Sequence, residues 1–416
     1  MSENVNRRTT YKLYPSAIQA GELARLHFLH RQLYNAALEE RIDAYRKAKK
    51  SISFNDQCQS LTAIRRDAAE YRALNAQSAQ VTLKRLDKAF SAFFKRAKHG
   101  LKGGFPRFKS QDRFSGWGYK THGDGFRFTP AANWKHGTLR LSGVGEMAAR
   151  GEARTPGRVV CADIMRKSNG WFLSLVVECE PHRERGEREC GLDWGVETLA
   201  TMAYSPNEFG QFENLRPLNA EKEALKIEQR ALSLALRGKR TSKAEKARKA
   251  MAKRWRKVAA RRKNRNHQIT ARLVRDHKLI VTEELAIANM TASARGTIEE
   301  PGSNVAQKAG LNRAILDATP GSFLSMLRYK AEEAGSELIF INTRKHKPSQ
   351  TDPISGKVCK KPLSQRTHTL PDGRVIGRDE AAALSMLVVG LRLSGREPSW
   401  TCTSASETVH QSRRAA

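Results

Sequence analysis

Three acids stand where an apolar surrounding makes an acid costly. Asp193 interrupts the run CGLDWGVETLAT, Glu283 closes LIVTE, and Asp379 opens the apolar segment RDEAAALSML. A carboxylate beside a core is expensive unless a cation or hydrogen-bond donors compensate it. Two divalent ions, roughly 3.5–4 Å apart, would do so, one activating an attacking water and the other stabilising the leaving oxygen of a phosphodiester. Mg²⁺ is the default and Mn²⁺ the alternative, because hard cations take oxygen ligands. Each acid also has an ordinary reading: a turn residue before Trp194-Gly195, a strand-end acid, and a helix N-terminal acid favoured by the macrodipole.

The order of the elements favours the chemical reading. A strand carrying Asp, a turn, a second strand, a later strand ending in Glu, then Asp at the start of a helix is the layout of an RNase H-like sheet. Glu283 and Glu284 are adjacent, and strand alternation says only that they face opposite sides.

Around these acids the chain is strongly basic. Its 416 residues hold 75 Lys+Arg and 42 Asp+Glu, a net charge of 75 − 42 = +33. A polyphosphate partner relieves such self-repulsion through counterion release. Between Arg237 and Arg265 fifteen basic residues meet one acid, Glu245, on a polar stretch read as helical over 218–273. Without i,i+4 acid partners such a helix repels itself. This makes Arg254, Arg256, Lys257, Arg261 and Arg262 candidate phosphate contacts, the alternative being a solvated helix face. In FPRFK, Phe105 and Phe108 flank Arg107 and precede Lys109, a set suited to stacking on bases and gripping phosphate or, equally, to seating two Phe in a core. No run of 18 apolar residues exists and the first residues lack a signal peptide's apolar core, so no membrane span and a cytoplasmic, nucleoid-associated prokaryotic protein are expected. The six Cys form no CxxC pair, which fits a reducing compartment.

Periodicity supplies the frame. TTYKLYP reads as an extended segment. From Ser16 a helix with Ile18, Leu23, Leu26, Leu29, Leu33 and Leu38 on one stripe is expected, and two more helices near 57–74 and 78–97. Short β-rich runs from FPRFK to WFLSLVVECE predict a small antiparallel barrel or sheet, to which the N-terminal segment is assigned as a partner. LIVTE and ELIFINT read as strands, GSFLSMLRYKAEEAG as a helix capped by Gly335, and RDEAAALSMLVVGLRL as an apolar helix. The fold class is thus α+β and multidomain.

At these residues the chain resembles the TnpB/OrfB proteins of insertion sequences, relatives of compact type V CRISPR effectors. YKLYPSAIQ, LYNAALEER, GGFPRFKS, GLDWGVETLAT, LIVTEELAIANM and GRDEAAALSML match the family's blocks in order, up to about residue 391. The resemblance implies a wedge-like β-barrel domain (1–15 and 103–186), a helical recognition domain (16–102) and a RuvC nuclease domain (187–345 and 374–391). It further implies a target-nucleic-acid-binding module (346–373) that includes Arg366, leaving 392–416 as a flexible tail. It implies an RNA-guided DNA endonuclease whose partners are a guide RNA and target double-stranded DNA, acting as a monomer or homodimer. It places Asp193, Glu283 (over Glu284) and Asp379 on the three catalytic, metal-binding carboxylates.

Three departures accompany the match. Where the family carries the four cysteines of a zinc ribbon, this chain has Asp352, Ser355, Thr369 and Asp372, so no zinc is expected. Gly377 replaces the first Asp of the family's Asp-Arg-Asp motif, and Ala381 replaces an Asn. These changes motivate two rival readings: an RNA-guided DNA-binding protein that acts by occupancy, and, further off, a strand-transfer transposase.

Overall fold

A computed structural model describes residues 4–101, 103–151, 155–238, 241–297, 299–362 and 364–400. The chain divides into two compact units, Met1–Pro181 and His182–Ala416.

The first unit opens with strand β1 (Val5–Tyr14) and turns into helix α1 (Ala17–Ala48) at a capping box. There the Ser16 hydroxyl accepts from Gln19 N at 3.2 Å, and the Gln19 side chain accepts from Ser16 N at 3.0 Å. Leu23, Leu26, Leu29, Leu33 and Leu38 are buried, but Ile18 is 82% exposed. The reason is angular: five residues before Leu23 lies about 140° round the helix. Helices α2 (Phe54–Asp67), α3 (Ala69–Arg72) and α4 (Ala76–Lys98) follow. Strands β2 (Gly116–Tyr119), β3 (Phe126–Pro130), β4 (His136–Leu141), β5 (Gly145–Gly151), β6 (Arg158–Lys167) and β7 (Gly170–Cys179) join β1 in one antiparallel sheet, ordered β2-β6-β7-β1-β5-β4-β3. The N-terminal segment therefore does pair with the later β-structure, between β7 and β5. The sheet curls until Tyr119 on one edge strand and Phe126 on the other bring their rings to 5.5 Å. One core holds both layers of this unit, with Tyr11, Trp117 and Leu173 beside Leu23 and Leu83.

The second unit contains β8 (Arg188–Trp194), β9 (Thr198–Ser205), β10 (Glu208–Glu213), α5 (Lys222–Arg237), α6 (Thr241–Asp276), β11 (His277–Glu283) and α7 (Ile287–Met290). Then come α8 (Val305–Ala318), α9 (Pro320–Ala334), β12 (Glu337–Ile341), α10 (Thr343–His346), β13 (Thr367–Thr369), β14 (Val375–Gly377) and α11 (Arg378–Leu393). Its five-stranded sheet runs β10-β9-β8-β11-β12. The first three strands are antiparallel, and β11 is parallel to both β8 and β12. Gly335 caps α9 at φ 72°, where the left-handed region favours glycine. The stretch 218–273 is two helices rather than one, with Gly238 capping the first. Strand β10 and helix α8 had no clear signal, because FGQFEN and VAQKAGLNRAILDA mix polar and apolar residues without a clean period.

Two further differences concern the end of the chain. The expected flexible tail from 392 begins as the last turn of α11. It is then anchored by Arg396, which donates to Glu189 at 2.7 Å and Glu337 at 2.8 Å, charge pairs that order residues past Gly395. Residues 401–416 lie outside the described part. Among the described residues no helix is long and apolar enough to cross a membrane.

Candidate active site

Asp193 lies near the end of β8 and Glu283 is the last residue of β11. In the parallel ladder Leu192 is the partner of Thr282, so the next residues on each strand, Asp193 and Glu283, come side by side. Paired strands lie about 4.8 Å apart, and partnered residues share a face. The same alternation sends Glu284 outward: it is exposed, while Glu283 is partly buried. The structure thus separates two acids that composition could not.

Helix α11 brings the third acid. It packs across the sheet so closely that a Cβ on Gly191 would stand 1.8 Å from the Ala383 carbonyl oxygen. Only glycine permits that backbone approach. Ala383 is one helical turn beyond Asp379, and Gly191 is two residues before Asp193 on the same strand face. Asp379 itself is exposed in the first turn, whose N-terminal end is closed by Glu380 accepting from Gly377 N at 2.7 Å.

The electrostatics show the consequence. Burial, and after it the charges of Glu283 and Asp379, hold the Asp193 carboxyl well above the usual carboxylate range, with Arg378 acting weakly in the opposite sense. Burial pushes Glu283 up to about 7. None of the three acids forms an ion pair among the described residues. Also among the described residues, no three His, Cys, Asp or Glu side chains stand close enough as they lie to hold a metal ion.

The remaining predicted contacts divide. On α6, Arg254, Lys257 and Arg261 all reach one buried acid, Glu221, at 3.2, 2.6 and 3.5 Å, and Arg262 pairs with buried Asp317 at 2.6 Å. Acids from other elements meet part of their charge, which local sequence cannot show. Arg256 is partly buried on the same helix. Arg265 is fully enclosed, donating to Asn214 at 3.0 Å and the Ala318 carbonyl at 2.9 Å. In FPRFK, Phe105 packs edge-on against Phe90 and Phe93, while Phe108 is 54% exposed and Arg107 is exposed. The Lys109 backbone is clamped by Asn35, which accepts from its N–H at 2.8 Å and donates to its carbonyl at 3.0 Å. Phe105, though in contact with Phe90 and Phe93, is itself 46% exposed, so neither Phe of the motif is a buried core residue.

At the four ribbon positions, polar groups bind one another. Ser355 donates from its hydroxyl and its N–H to Asp352 Oδ1, at 2.8 and 2.7 Å. Asp352 Oδ2 meets His368 Nε2 at 2.7 Å, and Lys361 Nζ caps His368 Nδ1. An ammonium offers only hydrogens, so Nδ1 accepts and Nε2 carries the proton toward Asp352. Thr369 is exposed, and Asp372 accepts from Arg374 Nε at 2.8 Å. Arg366 is exposed, and its carbonyl accepts from Arg378 N at 2.8 Å. The Ser385 hydroxyl on α11 donates to the Thr351 carbonyl at 2.9 Å, tying this module to the helix that carries Asp379.

Comparison with known proteins agrees with the motif order. A family model for OrfB proteins, described as a probable transposase, matches residues 173–294, and a second, described as its helix-turn-helix domain, matches residues 1–50. In this chain the latter residues form one strand and a single long helix. A putative RNA-guided DNA endonuclease of Streptomyces pristinaespiralis is 27% identical over 95% of this chain and 92% of its own length. A second, InsQ of Escherichia coli, is 26% identical over 80% of this chain and 79% of its own. A Cas12f1 chain, solved with its sgRNA and target DNA, superposes with a TM-score of 0.57 at 12% identity, covering 92% of this chain and 98% of that one. At that identity the likeness is one of fold.

Proposed function

Because the chain belongs to the TnpB/OrfB family, we propose that it is an RNA-guided DNA endonuclease that cuts at Asp193, Glu283 and Asp379. The observation that carries this reading is the placement of Asp193 and Glu283 as the next residues after the Leu192–Thr282 pair, under the field of Asp379. The sheet order β10-β9-β8-β11-β12, with α11 across it, supports a RuvC-like, RNase H-type nuclease domain over 187–345 and 374–391. The curled sheet of the first unit corresponds to the wedge-like domain, its helices over 16–102 to the recognition domain, and 346–373 to a target-binding module rebuilt without cysteines.

The donor set fits hard divalent cations. Two carboxylates are held side by side without a basic partner, and burial works against their charge. Magnesium or manganese, when bound, would supply Lewis acidity at the scissile phosphate and an activated water. Asp193 and Glu283 would hold the ions from the strand edge, and Asp379 would close the set from the first turn of α11. Asp379, exposed in the first turn of α11, would have to move toward the strand pair to complete the set, because among the described residues no three such side chains stand close enough as they lie. Arg378, one residue earlier, bears on Asp193 and offsets part of the repulsion.

A guide RNA would select the target by base pairing, with protein contacts to backbone and to a short DNA motif. Exposed Arg107, Phe108 and Arg366 are the predicted contacts still open to such a partner. The deciding experiment is cleavage of a guide-matched plasmid by the purified protein–RNA complex with Mg²⁺. The parent cuts, Asp193→Ala does not, and both bind target. If Asp193→Ala cuts at the parent rate, the site assignment is wrong. Gly377 and Ala381 favour the rival of binding without cutting, which target occupancy with no cleavage in either Mg²⁺ or Mn²⁺ would establish.

A further inference from the structure

Three of the α6 cations named above share one carboxylate, Glu221, and further positive charge in this region has no acid partner among the described residues. A cavity of about 440 Å³ is walled by α5, α6, α8 and the loop before α5. That size lies within the roughly 300–1,000 Å³ of small-ligand sites. Val196 and Leu225 give it an apolar floor, and the indole of Trp255, 44% exposed, forms part of its wall. Arg216, Lys222 and Arg313 line it, all three are exposed, and none forms an ion pair among the described residues. Asp317, the acid in the lining, is taken up by Arg262 at 2.6 Å and by Leu218 N at 3.2 Å. Arg216 is also held at φ 42°, a strained conformation for a residue with a side chain.

An aromatic face beside an apolar floor, ringed by unpaired cations, matches one nucleotide of a single strand: a base to stack, phosphates to neutralise. We propose that this cavity receives one nucleobase of a single-stranded nucleic acid, stacked on Trp255, with its flanking phosphates on Arg216, Lys222 and Arg313. Val196 is three residues beyond Asp193, past the Trp194-Gly195 turn, so one lining residue of the cavity lies at the strand end that carries Asp193. The site therefore suits a strand passing to or from the cutting centre. Only this last step rests on the nuclease reading.

The test is binding of labelled oligothymidylate and oligouridylate to the full chain in an Asp193→Ala background, across a salt series. Trp255→Ala weakens binding by roughly tenfold, the scale of one lost stacking contact, and Trp255→Phe restores most of it. Lys222→Gln and Arg313→Gln each reduce the slope of log affinity against log salt by about 0.7, the value for one single-strand phosphate. An oligonucleotide of abasic sites binds Trp255→Ala and its parent alike. A loss on the DNA arm assigns the site to the cut strand and a loss on the RNA arm to the guide; either supports the site. Parent affinity for both strands in Trp255→Ala, with unchanged slopes in the two charge variants, overturns it. Should Trp255→Ala not fold, the slopes and Trp255→Phe decide the matter. Since the readout needs no cleavage, a negative result leaves the nuclease reading standing.

Discussion

Replacing Glu283 by Gln should stabilise the metal-free protein, and only at high pH. Glu283 is lifted by burial from an ordinary 4.5 to about 7. Between those values the folded state keeps a proton that the unfolded chain has released. The stability tied to that proton is fully present below the unfolded value and is lost as pH rises through about 7. The difference, 7 − 4.5 = 2.5 pH units, at about 1.36 kcal/mol each, comes to about 3 kcal/mol as an upper figure. Gln does not titrate, so Glu283→Gln should match the parent near pH 4.5 and exceed it by about 1–3 kcal/mol above pH 8. Relief of the repulsion on Asp193 adds in the same direction. Urea unfolding in EDTA at both pH values reads the difference. Saturating Mg²⁺ should then favour the parent and close the gap, because the ion supplies the charge that the fold withholds. A variant equally stable at both pH values, or less stable at high pH, would refute the claim that this acid is held at a cost for function.

Other outcomes follow from the same geometry. Gly191→Ala drives a methyl onto the Ala383 carbonyl, which as backbone cannot give way; α11 must shift, lowering stability by about 1–3 kcal/mol and abolishing cleavage, as melting and plasmid assays would show. Asp352→Ala strips His368 and Lys361 of their acceptor and should cost about 1.5–3 kcal/mol, while treating the parent with a zinc chelator leaves its melting unchanged. Burial pushes the Asp352 carboxyl up, but the hydrogen bonds from Ser355 and His368 outweigh it and hold it low. Its contribution is therefore present above about pH 3.8 and fades as pH falls, which an acid unfolding series on parent and variant would detect. Gly377→Asp sets its Cβ 3.1 Å from the Glu380 carboxylate that already accepts from Gly377 N; like-charge repulsion offsets the few tenths of a kcal/mol that Asp gains over Gly at an N-cap, so melting should stay near the parent's while a plasmid assay shows faster cleavage.

What the sequence revealed depended on how local the cause was. The β8, β11 and β12 strands, the α9 cap at Gly335 and the apolar α11 are written in neighbouring residues, and they emerged where expected. So did the order of the elements that carry the three acids, though the close approach of α11 to β8 depends on Gly191, a residue whose role appears only when a helix lies on it. For the basic run the cause is not local. Its counter-charges, Glu221 and Asp317, come from other elements, so a local count of acids near Arg254 or Arg262 could not find them. The module at 346–373 could be read as lacking cysteines, but the Asp352–His368 link joins side chains sixteen residues apart through folding alone. Ile18 shows the limit of loose periodicity, since a five-residue step leaves the buried stripe.

The placement of Asp379 on a helix that follows every strand of the sheet also sets a clock. On the ribosome this acid is made 379 − 283 = 96 residues after Glu283, a delay of roughly 5–20 s at about 5–20 residues per second. During that interval the sheet has two of its carboxylates but not the helix that lies against Gly191. On the proposed nuclease reading, a nascent chain would begin to gather nucleic acid through the basic elements already made, while the third proposed ligand has yet to be synthesised. On that reading, the late helix would withhold cutting until the whole sheet has been made.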